Sequence, residues 1–288
     1  MSCVASCRRL LRFNHLLMFF CVTLAVTAKI HAQERQESRL LFEPVRASVL
    51  EPRVGAIIHA EDTRLRLDIG NGIDLVTFAP ASQPSLRWSL GAEFFTWTAL
   101  RRTKDFHFPV DAVDYLFGIY ASAVTSVDER LAFEGRFRLS HISAHLVDGS
   151  YEKSTGTWRN GQLPRVYSRE FLELILAARL DDQLRPHIGA QYVYHIDPPD
   201  LGRFSLQLGV EYMPQLTSWV HPYVAYDLRL VTVGATSSVH AAQLGTRFGA
   251  RHGAALNVFI AWYSGLAEHG EYHDQRVSWW GPGFTVEF

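Results

Sequence analysis

The sequence predicts an all-β chain folded as an antiparallel transmembrane β-barrel of about twelve strands. Three observations carry this. Apolar and polar residues alternate with period two along most of the chain. The connectors between the alternating runs are long on one side and tight on the other. The last run ends in Phe288, with Val286, Phe284, Pro282 and Trp280 behind it at every second position.

Composition is consistent with this class and removes others. The chain has 288 residues, 48% hydrophobic and 20% charged, with a net charge of −1. A nucleic-acid partner is excluded, because a duplex binder carries a basic excess. After the first thirty residues no apolar run reaches the roughly 18–20 residues a spanning helix requires. A barrel escapes that test, since polar residues dilute its hydropathy. The competing reading is a secreted two-sheet sandwich; long strands with one apolar face favour the barrel.

Residues 1–32 have the form of an export signal. Arg8, Arg9 and Arg12 make a basic start and Leu16–Val26 an apolar run too short for an anchor. Cleavage is expected after Ala32, with Ala28 as the second choice. Removing Arg8, Arg9, Arg12, Lys29 and no acid takes the net charge from −1 to −5. Cys3, Cys7 and Cys21 leave as well, so the mature chain has no disulfide and no cysteine metal site. Residues 33–52 are polar and punctuated by proline and are read as a periplasmic lead-in. The barrel is expected over 53–288.

Twelve strands are expected near 53–60, 63–80, 85–99, 111–124, 129–147, 165–180, 184–196, 203–213, 220–232, 236–249, 252–263 and 276–288. The alternation is plain in Phe204, Leu206, Leu208, Val210 and Tyr212 against Ser205, Gln207, Gly209 and Glu211. Connectors 100–110, 148–164 and 264–276 are long and are expected to be exposed on the outer side. Connectors 81–84, 125–128, 181–183 and 250–251 are tight, as periplasmic turns are; 61–62 and 233–235 break the phase. Arg136, Arg138, Glu173, Glu211, Asp227, Arg229 and Arg247 are expected to fill the lumen as a charge network.

One hairpin carries chemistry. Along 131–147 the even positions Glu134, Arg136 and Arg138 are charged and therefore lumenal, so Leu131, Phe133, Phe137, Leu139, His141, Ser143 and His145 face outward. On the returning strand Arg169, Glu173 and Arg179 are lumenal, so Ser168 and Glu170 also face outward. A register pairing 141 or 143 with 170 sets a serine, a histidine and a carboxylate together on the outside, at the outer-leaflet end. A hydroxyl nucleophile requires a base, and the base an orienting acceptor. The bland alternative is an interfacial girdle in which His and Ser bond lipid headgroups. His187, His195, His269 and His273 are scattered and carry no ligand assignment. Asp148 and Glu152 in the long loop make calcium a candidate cofactor, bridging lipopolysaccharide or a substrate phosphate.

His141-Ile142-Ser143, with a polar partner on the next strand, resembles the sites of outer-membrane phospholipase A and of lipid A deacylase. The resemblance implies Ser143 as nucleophile, His141 as base and Glu170 as orienting acid, with His145 and Ser168 beside them. Both families place Asn after the Ser; here Ala144 and His145 follow. Segments 41–56 (LFEPVRASVLEPRVGA), 140–153, 165–176 and 261–272 are similar to an uncharacterised bacterial envelope family, domain of unknown function twelve-oh-seven, which implies export and no activity. The expected function is a lipid acyl-ester hydrolase, on phospholipid or lipid A, in the bacterial outer membrane. The alternative is a non-enzymatic pore or structural barrel. Expected partners are outer-membrane lipids, the barrel assembly machinery through the strand ending in Phe288, and, as an open option, a second copy in a homodimer.

Overall fold

The structure, a computed structural model, describes residues 40–288. The expected export signal, 1–32, and residues 33–39 of the lead-in lie outside the described residues.

Fourteen strands follow one another: β1 (Val54–Ile58), β2 (Arg64–Phe78), β3 (Leu86–Arg101), β4 (Val110–Ser126), β5 (Leu131–Leu146), β6 (Tyr151–Glu152), β7 (Thr157–Trp158), β8 (Tyr167–Leu180), β9 (Leu184–Asp197), β10 (Phe204–Tyr212), β11 (Val220–Val233), β12 (Ala235–Gly249), β13 (Ala255–Leu266) and β14 (Arg276–Glu287). Twelve of them close into an all-antiparallel barrel in chain order, with β14 returning to β1; β6 and β7 form a separate small hairpin inside the β5–β8 connector. The twelve expected strands thus stand, with ends shifted by a few residues. Short 3₁₀ turns occupy 104–106, 148–150, 159–161 and 270–272.

The two faces of the wall are reversed relative to a water-soluble protein. Outward positions such as Ile73, Phe94, Ile119, Phe137, Leu176 and Ile188 are exposed apolar groups. An apolar surface this continuous is stable against hydrocarbon and not against water. The inward positions of β5 are buried charges, Glu134, Arg136 and Arg138. Arg138 lies between Glu173, at 2.7 Å, and Glu93, at 3.5 Å. Glu173 also meets Arg136 and Arg229. The expected lumenal network is present, and each buried cation has a carboxylate partner, the condition under which buried charge is tolerable.

The lead-in differs from its sequence reading. Residues 40–52 do not run up to the barrel from outside; they pass into it as a strap. Phe42 lies between two wall guanidinia, 5.0 Å from Arg136 and 4.7 Å from Arg185. Glu51, 1% exposed, takes a bidentate bond from Arg136. Arg66 donates to the Val49 carbonyl, and the Arg46 amide donates to Glu211. Polarity does not put this segment in solvent, because the lumen is itself lined by charge and pairs with it.

The connector 267–275 differs too. It was expected to be exposed, yet His269, Glu271 and His273 are buried. Asp114, inside the wall on β4, accepts from His269 Nδ1 at 2.6 Å and from the Gly270 amide at 2.7 Å. Glu271 accepts the Leu146 and Arg165 amides. The loop therefore turns into the barrel mouth. Gly270 is required there: a Cβ would stand 2.4 Å from the Tyr167 ring.

Candidate active site

Strands β5 and β8 pair with His141 opposite Glu170 and Ser143 opposite Ser168. This is one of the two registers the alternation allows. All four side chains share the outward face, at the end carrying the longest connector, 147–166.

The wall behind them is packed. Ile142 and Ala144, on either side of Ser143, point inward and are buried, as is Phe171 next to Glu170. They join Phe95, Trp97, Leu116, Tyr167 and Val193 in one apolar cluster, reached by Leu50 of the strap. A site on strands backed by close packing is held more firmly than one on loops.

The centre of the site is the Glu170 carboxylate. Its Oε1 lies 2.7 Å from His141 Nδ1 and takes a 3.3 Å bond from Ser168 Oγ. A carboxylate acceptor at Nδ1 places the proton there and leaves Nε2 as the free, basic nitrogen. The His141 ring packs on Phe117, centroids 4.8 Å apart. Ser143 follows two residues along the same face, roughly 6.6 Å away by strand rise, and its hydroxyl has no hydrogen-bond partner among the described residues.

His145 shares the face but not the cluster. Its ring contacts Tyr115, at 6.1 Å between centroids, and does not reach Glu170. The two histidines flanking Ser143, equivalent by spacing, are therefore distinguished by Glu170.

The residue that sequence reasoning missed is His195. Its Nδ1 bonds to Oε2, the second oxygen of Glu170. Strict alternation along β9 would turn His195 inward with Val193. A β-bulge intervenes: Glu170 pairs with His195 while Phe171 pairs with Val193, leaving Tyr194 as the extra residue. Bulges re-aim side chains in this way. A carboxylate thus holds two imidazoles, His141 and His195, each with Nε2 free.

Of the acidic pair expected as calcium ligands, Asp148 and Glu152, the second is engaged by the loop itself. Glu152 bonds to Arg159, at 2.8 Å, and to Ser154. Among the described residues no three His, Cys, Asp or Glu side chains converge as metal ligands.

Among solved structures the chain is similar to outer membrane phospholipase A from Escherichia coli, at 13% identity over 86% of this chain and 96% of that one, with a TM-score of 0.53. An active-site mutant of that enzyme gives 14% identity, 89% and 96% coverage and a TM-score of 0.55. LpxR from Salmonella typhimurium gives 10% identity, 78% and 88% coverage and a TM-score of 0.35. At these identities the likeness to the phospholipase is one of fold: a closed barrel of the bacterial outer-membrane type. No curated protein matches the chain. The family described as "Protein of unknown function (DUF1207)" matches residues 105–288, which include three of the four segments singled out above, and the chain belongs to it.

Proposed function

We propose that the protein is a bacterial outer-membrane lipid acyl-ester hydrolase. The observation that carries the reading is the 2.7 Å contact of Glu170 with His141 Nδ1 on the outward face, two residues from Ser143. The longest connector leaves the barrel at this end, which supports reading it as the outer one; the substrate in this reading is a lipid of the outer leaflet, phospholipid or lipid A. The phospholipase to which the fold is similar acts on that class of molecule, as its name states.

In this reading Ser143 Oγ attacks the ester carbonyl carbon while His141 Nε2 takes its proton. The tetrahedral intermediate collapses, and His141 returns the proton to the departing alcohol. Water, deprotonated by the same nitrogen, then releases the fatty acid and restores Ser143. Glu170 remains ionised, fixing the tautomer and stabilising the imidazolium. Placing these polar groups against lipid is unfavourable for a purely structural role and sensible for an enzyme of lipids. The strand ending in Phe288 is, in the same proposal, its signal to the assembly machinery, and a homodimer packed through the apolar outward faces is compatible with it.

The test is fatty-acid release by purified barrel in mixed micelles, with phospholipid or lipid A. Ser143→Ala and His141→Ala are each expected to abolish it, at least about a thousandfold, as for members of a catalytic unit. Glu170→Ala is expected to weaken it less, and His145→Ala to leave most of it. No release from either lipid by wild type, or Ser143→Ala equal to wild type, ends the hydrolase reading.

The sequence left a pore as the alternative. A water-filled pore leaves its lining charges wet. Here Arg138 is 0% and Arg136 and Arg229 each 5% exposed, and the strap lies among them.

A further inference from the structure

His141, Glu170 and His195 stand directly opposite one another on β5, β8 and β9, one row across three strands. Ser143, Ser168 and Asp197 make the next row outward. His195 is in the first row only because of the bulge, which inserts Tyr194 and brings the imidazole to the side where Glu170 lies. Bulges next to active sites serve to re-aim a side chain. The Glu170 carboxylate is gripped from both neighbouring strands, with His141 Nδ1 at Oε1 and His195 Nδ1 at Oε2.

A grip on both oxygens matters for a glutamate. Its side chain turns about three torsions, and the last, which sets the carboxylate plane, is broad. Ser168 adds a bond only at Oε1. An acceptor held at one oxygen swings away from the imidazole it orients; one held at both keeps Oε1 on Nδ1. Orientation is what such an acceptor contributes, and a misplacement of about 1 Å slows a reaction on the order of a hundredfold. His195 does no chemistry itself. Two strand spacings and two residues of rise put its Cα roughly 12 Å from that of Ser143, beyond the reach of an imidazole. Its side chain is 66% exposed, against 25% for His141. It acts through Glu170.

We propose that His195 is a positioning residue of the Ser143–His141–Glu170 site: by donating Nδ1–H to Oε2 it fixes the carboxylate plane that holds His141 in the tautomer with Nε2 basic. This deepens the hydrolase reading and rests on it for the effect on turnover.

Three replacements test it. Asn carries an amide N–H near the place of Nδ1, Gln carries one near the place of Nε2, and Leu carries none. Turnover is measured as fatty-acid release in mixed micelles. His195→Leu is expected to lower kcat about tenfold with KM unchanged, the size of one bond to a charged group. His195→Asn should restore most of the rate and His195→Gln little. In Glu170→Ala, adding His195→Leu should change nothing more, because the pair acts as one unit. A raised KM with unchanged kcat, equal rescue by Gln, or the same loss on top of Glu170→Ala overturns the role. The tautomer is read independently of turnover, by long-range proton–nitrogen NMR of barrel carrying isotope-labelled histidine. At about pH 8.5, where an ordinary imidazole is neutral, the His141 signal, assigned by its loss in His141→Gln, is expected to show a protonated Nδ1 in wild type and His195→Asn. His195→Leu should show a mixture of tautomers. A His141 signal unmoved by His195→Leu overturns the role as well. A His195-dependent tautomer without release by wild type sinks the hydrolase and keeps the positioning; release with neither kcat nor tautomer sensitive to His195 does the reverse.

Discussion

Glu51 is the residue on which the lumenal charge balance turns. Its two oxygens lie 2.5 and 2.8 Å from the Arg136 guanidinium, and both partners are almost fully buried. Removing one member of a buried pair leaves the other charge uncompensated, at about 3–5 kcal/mol. Glu51→Ala is therefore expected to lower the urea midpoint of the barrel in micelles by that equivalent, whereas Glu152→Ala, at an exposed loop pair, should leave it unchanged. An unshifted midpoint for Glu51→Ala would mean the strap contributes nothing to the fold. At this scale the sequence was readable wherever period two held. His141, Ser143, Ser168 and Glu170 fall on the outward face because Arg136, Arg138 and Glu173 must fall on the other. His195 was not readable, because an inserted residue in β9 reverses the parity beyond it. The signal available was weak: Tyr192 and Tyr194 alternate outward, and nothing marks the residue after them as sharing their side.

The loop between β13 and β14 shows how an element can defeat an argument from length. Long connectors in barrels usually stand in solvent, yet 267–275 is drawn into the mouth by hydrogen bonds in both directions: His269 and Gly270 donate to Asp114, and Glu271 accepts the Leu146 and Arg165 amides. Glu271, 1% exposed, is the clearest case. Burial raises its pKa above the ordinary carboxylate value, and the nearby Asp114 charge adds to this; the Leu146 and Arg165 amides and the Arg165 charge oppose it without prevailing. The sign follows directly. A folded pKa above the unfolded one means the closed loop binds the proton more tightly than the open one. Closure is then most stable below about pH 4.5, the unperturbed value, and weakens as pH rises through the raised value. Hydrogen-exchange protection of the Leu146 and Arg165 amides, corrected for intrinsic exchange, should fall from pH 4 towards pH 8 (roughly the span around a shifted carboxylate). In Glu271→Gln this dependence should vanish. Protection that rises with pH, or the same slope in the variant, contradicts it. The two-stranded excursion of β6 and β7 in the β5–β8 connector was equally hidden, since two-residue strands carry no period.

The molecule as a whole is an inverted globule: apolar groups outside, a charged and packed core inside, closed by a strap below and a loop at the mouth. The closed wall was legible because each strand carries its own period-two record and because alternating connectors repeat the same asymmetry. The filling of the lumen was only half legible. Wall charges announce themselves by alternation, but the strap's contacts join residues far apart in sequence: Phe42 to Arg136 and Arg185, Arg46 to Glu211, Arg66 to Val49. No local pattern in 40–52 reports them. This filling decides between an enzyme that works on its outer surface and a channel that works through its axis. Ion flow requires a continuous wet path, and the axis is occupied by ion pairs and by the strap's apolar side chains Phe42, Val45 and Leu50. In planar bilayers the wild-type barrel is expected to give no steady conductance steps. Arg46→Ala combined with Glu51→Ala removes two of the strap's charged ties while leaving the wall intact, and is expected to give flickering openings as the strap detaches. Insertion in both cases is checked by heat-modified migration, so silence cannot be mistaken for absence. Steady openings of the wild type would return the pore reading to first place. Silence in the double variant would mean that the wall network alone, centred on Arg138 and Glu173, seals the axis, and that the strap serves the packing behind Ser143 through Leu50 and Phe171 rather than the closure of the lumen.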